Sequence, residues 1–241
     1  MPESTKQRSV TGREERLLSK VRPHGLVPKD AKWQQLKSGQ TRQKIFDAAI
    51  ACLVEASYSG LSIPAICTRS GVSRGALHHH FAGKLQLVAA LTEYLFYKRM
   101  HRFITDYLGI IDNDRNFVAR AAELHWESLH EPDHTAYLEI AIAARTDPGI
   151  AEFFYPMAQR FDQIWLEEMV HHFPQWEHHF QKLQLVSDFV MAAHMGLLLN
   201  SRVLGAEDRV NSVRDMIVAS VLSVYAGSAG TASPPDTSDS A

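Results

Sequence analysis

From Ile45 onward, apolar residues recur at the spacing of one helical face. Ile45, Ala48, Ala49, Cys52, Leu53 and Ala56 form a first stripe, which Tyr58-Ser59-Gly60 ends. Ser62 is placed to cap a second helix that tolerates Pro64 in its first turn. Gly71 interrupts the pattern, and Ser73 is placed to cap a third, short helix that closes near Phe81. Lys84 opens a long run to about Leu108, and further helical runs follow at about 114–130, 134–146, 149–171, 178–203 and 207–226. Strand-like alternation bounded by turns is not evident, so the expected class is all-α.

The flanks read differently. Residues 1–38 mix Lys, Arg, Ser, Gly and Pro and are expected to form a flexible basic arm, with Trp33 and Leu36 suited to one amphipathic turn. Residues 227–241 read as a disordered tail. The amino terminus has no apolar stretch of signal-peptide kind, and no run approaches the roughly 20 apolar residues that span a bilayer. The expected location is the cytoplasm, without a membrane partner. Cys52 and Cys67 form no CxxC and fall on apolar helix faces, which suits small buried residues rather than a disulfide framework.

Charge sharpens this picture. Residues 1–100 carry 16 Lys and Arg against 7 Asp and Glu, whereas residues 101–241 carry 9 against 20. A net +9 front on a chain of net charge −2 is the electrostatic footprint of a polyanion-binding module. A basic arm without a partner has the same charge, so local chemistry must decide between them.

That chemistry lies in residues 62–81, SIPAICTRSGVSRGALHHHF. A helix-turn-helix needs a first helix with a small apolar inner face, which Ile66, Cys67 and Ser70 provide. It needs a turn residue free to take positive φ, which Gly71 provides. Its second helix needs a cap, Ser73, and buried anchors, Val72, Leu77 and Phe81. Arg74, His78, His79 and His80 then offer outward hydrogen bonds, while Gly75 and Ala76 let the backbone approach DNA closely.

The spacing from Ser62 through Ile66, Ser70-Gly71-Val72-Ser73, Gly75-Ala76-Leu77-His78 and Phe81 to Lys84 resembles the DNA-binding domain of TetR-family transcriptional regulators, over about Thr41 to Leu91. Cys67 and Ser70 stand where the family usually has alanine, and His78 where it usually has tyrosine. The resemblance implies that Arg74 and Gly75 contact base edges or adjacent backbone, and that His79 contacts a base or phosphate. It also implies that His78 and His80 bind phosphates, as do Thr41 and Ser62 near helix starts and Lys84 at the start of the fourth helix. Bottom-up chemistry agrees that Arg74 is the natural reader of guanine in double-stranded DNA.

Rival readings are weaker. His78, His79 and His80 are consecutive, so on a helix they point about 100° apart and cannot converge on one metal ion. His171-His172 and His178-His179 flank Pro174 and read as a solvated loop. Gly71-Val72-Ser73-Arg74-Gly75 matches GxSxG and His130-Glu131-Pro132-Asp133-His134 matches HExxH in letters, but the first follows no strand and the second spans the break between two helical runs. No P-loop or GxGxxG before a strand is present, so no enzyme, catalytic residue, metal or cofactor is expected. A helical interaction protein that binds no DNA remains the alternative.

The domain layout expected is an arm at 1–38, a three-helix DNA-binding domain at 39–86, a larger helical ligand-binding and dimerisation domain at 87–226, and the tail. Aromatic residues crowd the larger domain, mostly as bundle core. The family resemblance implies that it also encloses a cavity for a small apolar or aromatic effector, with Phe103, Tyr107, His125, Trp126, Tyr137, Phe161 and Trp165 as candidate lining. The last two runs carry apolar stripes: Leu183, Val186, Phe189, Val190, Ala193 and Leu197 in one, and Val210, Val213, Ile217, Val221 and Val224 in the other. In the family such helices pair in a homodimer, although one chain can also bury the stripes internally. Twofold symmetry would require a pseudo-palindromic operator, with repression the implied outcome.

Overall fold

The computed structural model describes residues 33–107, 117–172 and 180–229, together with Lys20. The order is α1 (Trp33–Gly60), α2 (Ile63–Ser70), α3 (Arg74–His80), α4 (Lys84–Tyr107), α5 (Phe117–Ser128), α6 (Pro132–Ala144), α7 (Pro148–His172), α8 (Phe180–Leu204) and α9 (Glu207–Ala229). No strand occurs among the described residues, and the fold is all-α as the periodicity requires. Most of the arm and the tail from residue 230 lie outside the described residues, as does the segment 173–179 that holds His178 and His179. The first helix already begins at Trp33, inside the stretch that reads as arm, and α9 continues to Ala229.

The chain divides into two compact units, one of residues 1–109 and 130–169 and the other of residues 110–129 and 170–241. In the first, the apolar stripe of α1 (Ile45, Ala49, Leu53) packs with Ile66, Leu77 and Phe81 from the helix-turn-helix and with Leu87, Leu91 and Leu95 of α4. The same core continues into α6 through Ala136, Ile140 and Ala144, and into α7 through Ile150 and Phe154. The sequence pattern suggests a domain boundary at residue 86, but the core runs past it. Each of the large side chains contributes about 1.5–3 kcal/mol by leaving water, so α6 and α7 stabilise the helix-turn-helix through the core they share with α1 and α4.

The end of α1 is pinned to α6. Ser57 takes φ 56° and ψ −177°, the one non-glycine residue with positive φ among the described residues. The chain there turns out of the helix, so that the Tyr58 N–H donates to Glu139 Oε2 at 3.1 Å. At the other end of α6, the buried Asp133 carboxylate accepts from Lys98 Nζ at 2.5 Å and lies 3.7 Å from Arg102, both on α4. Buried Glu168 of α7 accepts from Lys20 Nζ at 2.7 Å, so one cation of the basic arm is held by an intramolecular pair. His134, 3% exposed, sits beside Tyr137; burial, followed by the charges of Arg99, Arg102 and His130, pushes its pKa down to about 3.

In the second unit, Trp126 and Leu129 pack with Leu197 and Ile217. His125 and His194 stack at 5.3 Å with their Nδ1 atoms 3.0 Å apart, and Trp126 meets His194 edge-on. Burial and the charge of Arg214 push His194 down to about 4. The expectation that no apolar run is long enough to span a bilayer needs correction here. By length and composition Phe180–Leu204 is long and apolar enough, although a soluble helix passes the same test and exposed Asp188 interrupts it.

The strain at Ser57 predicts that Ser57→Gly stabilises the fold. Relief on the order of 1–3 kcal/mol outweighs the roughly 0.5–1 kcal/mol entropic cost of a new glycine, for a net gain of about 1 kcal/mol. Urea denaturation reads this directly, and an unchanged or lower midpoint would show that the turn stores no strain. A second expectation concerns pH. His134 and His194 have folded pKa values below the roughly 6.5 of an unfolded histidine. Their stabilising contribution is therefore complete above about pH 6.5 and is lost progressively as the pH falls toward 4 and then 3. Urea midpoints of the wild type should drop over that window, and His194→Gln should drop less steeply; parallel slopes would exclude His194 as a contributor.

Candidate nucleic-acid interface

Local sequence dictates the shape of the α2–α3 pair. Ser62 Oγ accepts from the Ala65 N–H at 3.3 Å and Ser73 Oγ from the Ala76 N–H at 3.2 Å, so each helix begins on its own cap. Gly71 takes φ 68° and ψ 11°, and its N–H donates to the Cys67 carbonyl at 3.0 Å. A Cβ at Gly71 would meet nothing within 4 Å, so glycine is needed there for its backbone angle, not for space. Ile66 and Leu77 are fully buried and Phe81 nearly so, which fixes how α3 is rotated.

That rotation leaves Ser73, Arg74, Gly75, Ala76, His78 and His79 exposed. Arg74 makes no ion pair among the described residues, whereas Arg69 on α2 pairs with Glu55. The space over Gly75 is open, as backbone approach to a ligand needs. The result is a short helix presenting a guanidinium, two imidazoles and bare backbone on a rigid apolar base.

Four residues assigned by resemblance sit differently. His80 is half-buried against Phe81, and burial, then Arg42 and His79, lower its pKa. It belongs to the seam between α3 and α1, where the Arg42 guanidinium lies 4.6 Å from the Phe81 ring centre and 5.4 Å from that of Phe46. Thr41 is half-buried within α1, eight residues after Trp33, so it has no helix N-terminus beside it. Ser62 is half-buried with its oxygen engaged as a cap, leaving its hydroxyl proton to donate. Lys84 Nζ donates to the Tyr58 carbonyl at 3.2 Å and lies 4.0 Å from the Tyr58 ring centre. Burial lowers its pKa, with Asp147 opposing. Lys84 thus ties the start of α4 to the end of α1 and keeps its further N–H donors.

The candidate effector residues fall in two places. Tyr137 and Phe161 share a cluster with Phe96 and Phe154 in the first unit: Phe96 stacks on Phe161 at 4.7 Å and meets Tyr137 at 5.6 Å. Trp165 is half-buried further along α7. His125 and Trp126 belong to the histidine pair of the second unit, with Arg214 5.4 Å from the Trp126 ring centre. The side chains of Phe103 and Tyr107 lie outside the described residues. Sequence reasoning misses Arg42, Arg99, His134 and His194. Arg42 has a signal, its i,i+4 spacing to Phe46; the others are brought to their partners by tertiary packing alone. No group of three or more His, Cys, Asp or Glu able to hold a metal occurs among the described residues.

Comparison with known proteins places this geometry. Residues 45–91 match the family described as "Bacterial regulatory proteins, tetR family". The chain is similar to the HTH-type transcriptional regulator CymR of Pseudomonas putida, 28% identical over 57% of this chain and 69% of CymR. It is also similar to the HTH-type transcriptional repressor AcnR of Corynebacterium glutamicum, 30% identical over 46% of this chain and 55% of AcnR. Among solved structures, the multidrug binding protein EbrR complexed with imidazole shares the fold with a TM-score of 0.56 at 17% identity, over 74% of this chain and 93% of EbrR. CymR and AcnR are both named as transcriptional regulators, not as enzymes. The capped, glycine-turned α2–α3 pair and the match over residues 45–91 show that the chain carries a helix-turn-helix DNA-binding domain of the kind described for bacterial regulatory proteins of the tetR family.

Proposed function

We propose that the protein acts as a cytoplasmic homodimer that binds a pseudo-palindromic operator through two copies of α3 and responds to a small apolar or aromatic effector. The observation that carries this reading is the outward face of α3, with Arg74, His78 and His79 exposed on a base fixed by Leu77 and Phe81. Arg74 reads a base edge, His78 and His79 contact bases or phosphates, and the Ser73 cap and Gly75-Ala76 backbone lie close to the duplex. Ser62, His80 and Lys84 support this face from behind, with Ser62 and Lys84 keeping O–H or N–H donors for phosphate.

Dimerisation rests on a different observation. Five residues of the stripes read from the sequence, Leu183, Val186, Leu197, Ile217 and Val221, are buried inside one chain, whereas Phe189 and Val213 of the same stripes are exposed. Another apolar set stays exposed: Leu185 at 62%, Leu199 at 59% and Val203 at 79% on α8, and Met216 at 69% on α9. Large exposed aliphatic side chains concentrated on two consecutive helices mark a surface for a partner, and a second copy is the partner that gives two recognition helices. Two recognition helices read half-sites about 34–36 Å apart. Effector response is supported by the aromatic clusters and by the ligand named with EbrR. Repression is supported by the name given to AcnR.

Selection of bound duplexes from a random pool, followed by gel shift, tests the DNA reading. Arg74→Ala should weaken specific binding by about 1–3 kcal/mol and relax preference at one position of each half-site. Wild-type affinity and preference in that variant would make Arg74 a bystander. For assembly, Val203→Asp with Met216→Asp should convert a dimer to a folded monomer in analytical ultracentrifugation and remove preference for paired half-sites. Val221 is unsuitable for this test because it is buried within one chain, and a charge there would unfold it. A wild type that sediments as a monomer at micromolar concentration would overturn the dimer.

A further inference from the structure

Two polar groups in the first unit are left without a partner beside the same aromatic cluster. The first is Arg99. Three basic side chains lie close together along α4, and the outer two are neutralised: Lys98 pairs with Asp133, and Arg102 lies near Asp133 and Glu131. Arg99 makes no ion pair among the described residues. Its guanidinium instead lies 4.4 Å from the Tyr137 ring centre and 5.5 Å from that of Phe161. The second is His134, 3% exposed, whose Nε2 has no hydrogen-bond partner and whose ring centre is 5.8 Å from that of Tyr137. An orphaned buried imidazole nitrogen costs free energy that a protein normally avoids. Here it lies beside the same tyrosine ring as a half-buried guanidinium that makes no ion pair among the described residues.

We infer that the effector carries a carboxylate on an aromatic ring, with Arg99 and His134 receiving the carboxylate and Phe96, Phe154 and Phe161 receiving the ring. This deepens the effector-responsive reading proposed above and rests on it. The planar fork of a guanidinium matches the two oxygens of a carboxylate. Burial keeps His134 neutral across ordinary pH, so with its proton on Nε2 it donates a hydrogen bond without adding a second charge. The Phe96–Phe161 stack at 4.7 Å joins α4 to α7, and a bound aryl ring replaces that intramolecular contact with two contacts to itself. A neutral aromatic compound makes the same ring contacts but gives neither Arg99 nor His134 an acceptor of negative charge.

The test is calorimetric titration of the full chain with benzoate, phenylacetate and 2-naphthoate, each against its own amide. The acids should bind at least about tenfold more tightly than the amides, the margin that a charge-assisted pair commonly supplies. Arg99→Met keeps the apolar stem over Tyr137 and Phe161. It should remove that margin while leaving amide binding within about twofold, and Arg99→Lys should restore part of it. His134→Leu should weaken acid binding only. Circular dichroism confirms that each variant is folded, and the acid-to-amide ratio of the wild type stands whether or not a variant folds. Equal binding of acids and amides, or binding of neither, would overturn the inference. The broader reading fails separately: an acid that binds without changing occupancy of selected operator DNA would leave the ligand class intact and remove the effector response, whereas amides alone changing occupancy would do the reverse.

Discussion

The packing of α6 across α1 holds the rest of the first unit in place. Ala136, Ile140 and Ala144 are small or slender enough to bring α6 close to α1, and the Tyr58 N–H bond to Glu139 fixes the register of the two helices. Since Tyr58 also receives Lys84, the first residue of α4, three helices meet at the end of α1. The recognition helix is too short to hold itself: seven residues fall below the length at which an isolated helix is stable, roughly 12–15. Its orientation is borrowed from Leu77 and Phe81, which enter a core whose far wall is α6 and α7. A displacement of α6 would therefore reach α3 through packed side chains, without a flexible joint between.

The two faces of this unit divide the polar work. Arg74, His78 and His79 on α3 are exposed, ready for a partner that supplies negative charge. Inward polar groups are mostly satisfied: Asp133 by Lys98, Thr92 by the Val88 carbonyl at 2.8 Å, Glu168 by Lys20. Against that background His134 stands out, because its Nε2 has no hydrogen-bond partner, and beside it half-buried Arg99 makes no ion pair among the described residues. Removing one partner of a buried pair is costly, so the groups already paired are poor candidates for ligand contact.

Helical periodicity makes most elements legible in the sequence itself. The starts at Ser62, Ser73 and Lys84 and the turn at Gly71 are readable because capping and positive φ are local chemistry. Other features are not local. Trp33 to Gln40 extend α1, yet their composition reads as a linker. The apolar stripes of α8 and α9 are visible, but periodicity marks an apolar face without telling which partner covers it. Leu197 and Val221 serve the single chain, while Val203 and Met216 face outward. Likeness assigns Lys84 to a phosphate contact, and its nearness to Tyr58, 26 residues earlier, follows from tertiary packing alone. Arg99 and His134 lie on separate helices, far apart in the chain, a pairing that no spacing rule reaches.

The continuity of the core past residue 86 has a consequence for synthesis of the chain. Helices that read DNA are made early, but the far wall of their core, ending at Phe154, leaves the ribosome later. At about 5–20 residues per second, translation from Phe81 to Phe154 takes roughly 4–15 s. During that interval the nascent amino-terminal helices expose Ile45, Leu53 and Leu91 to solvent and chaperones. Completion of the helix-turn-helix core thus becomes a late event for an early segment, and a message truncated near residue 110 would encode a fragment with that core open on one side.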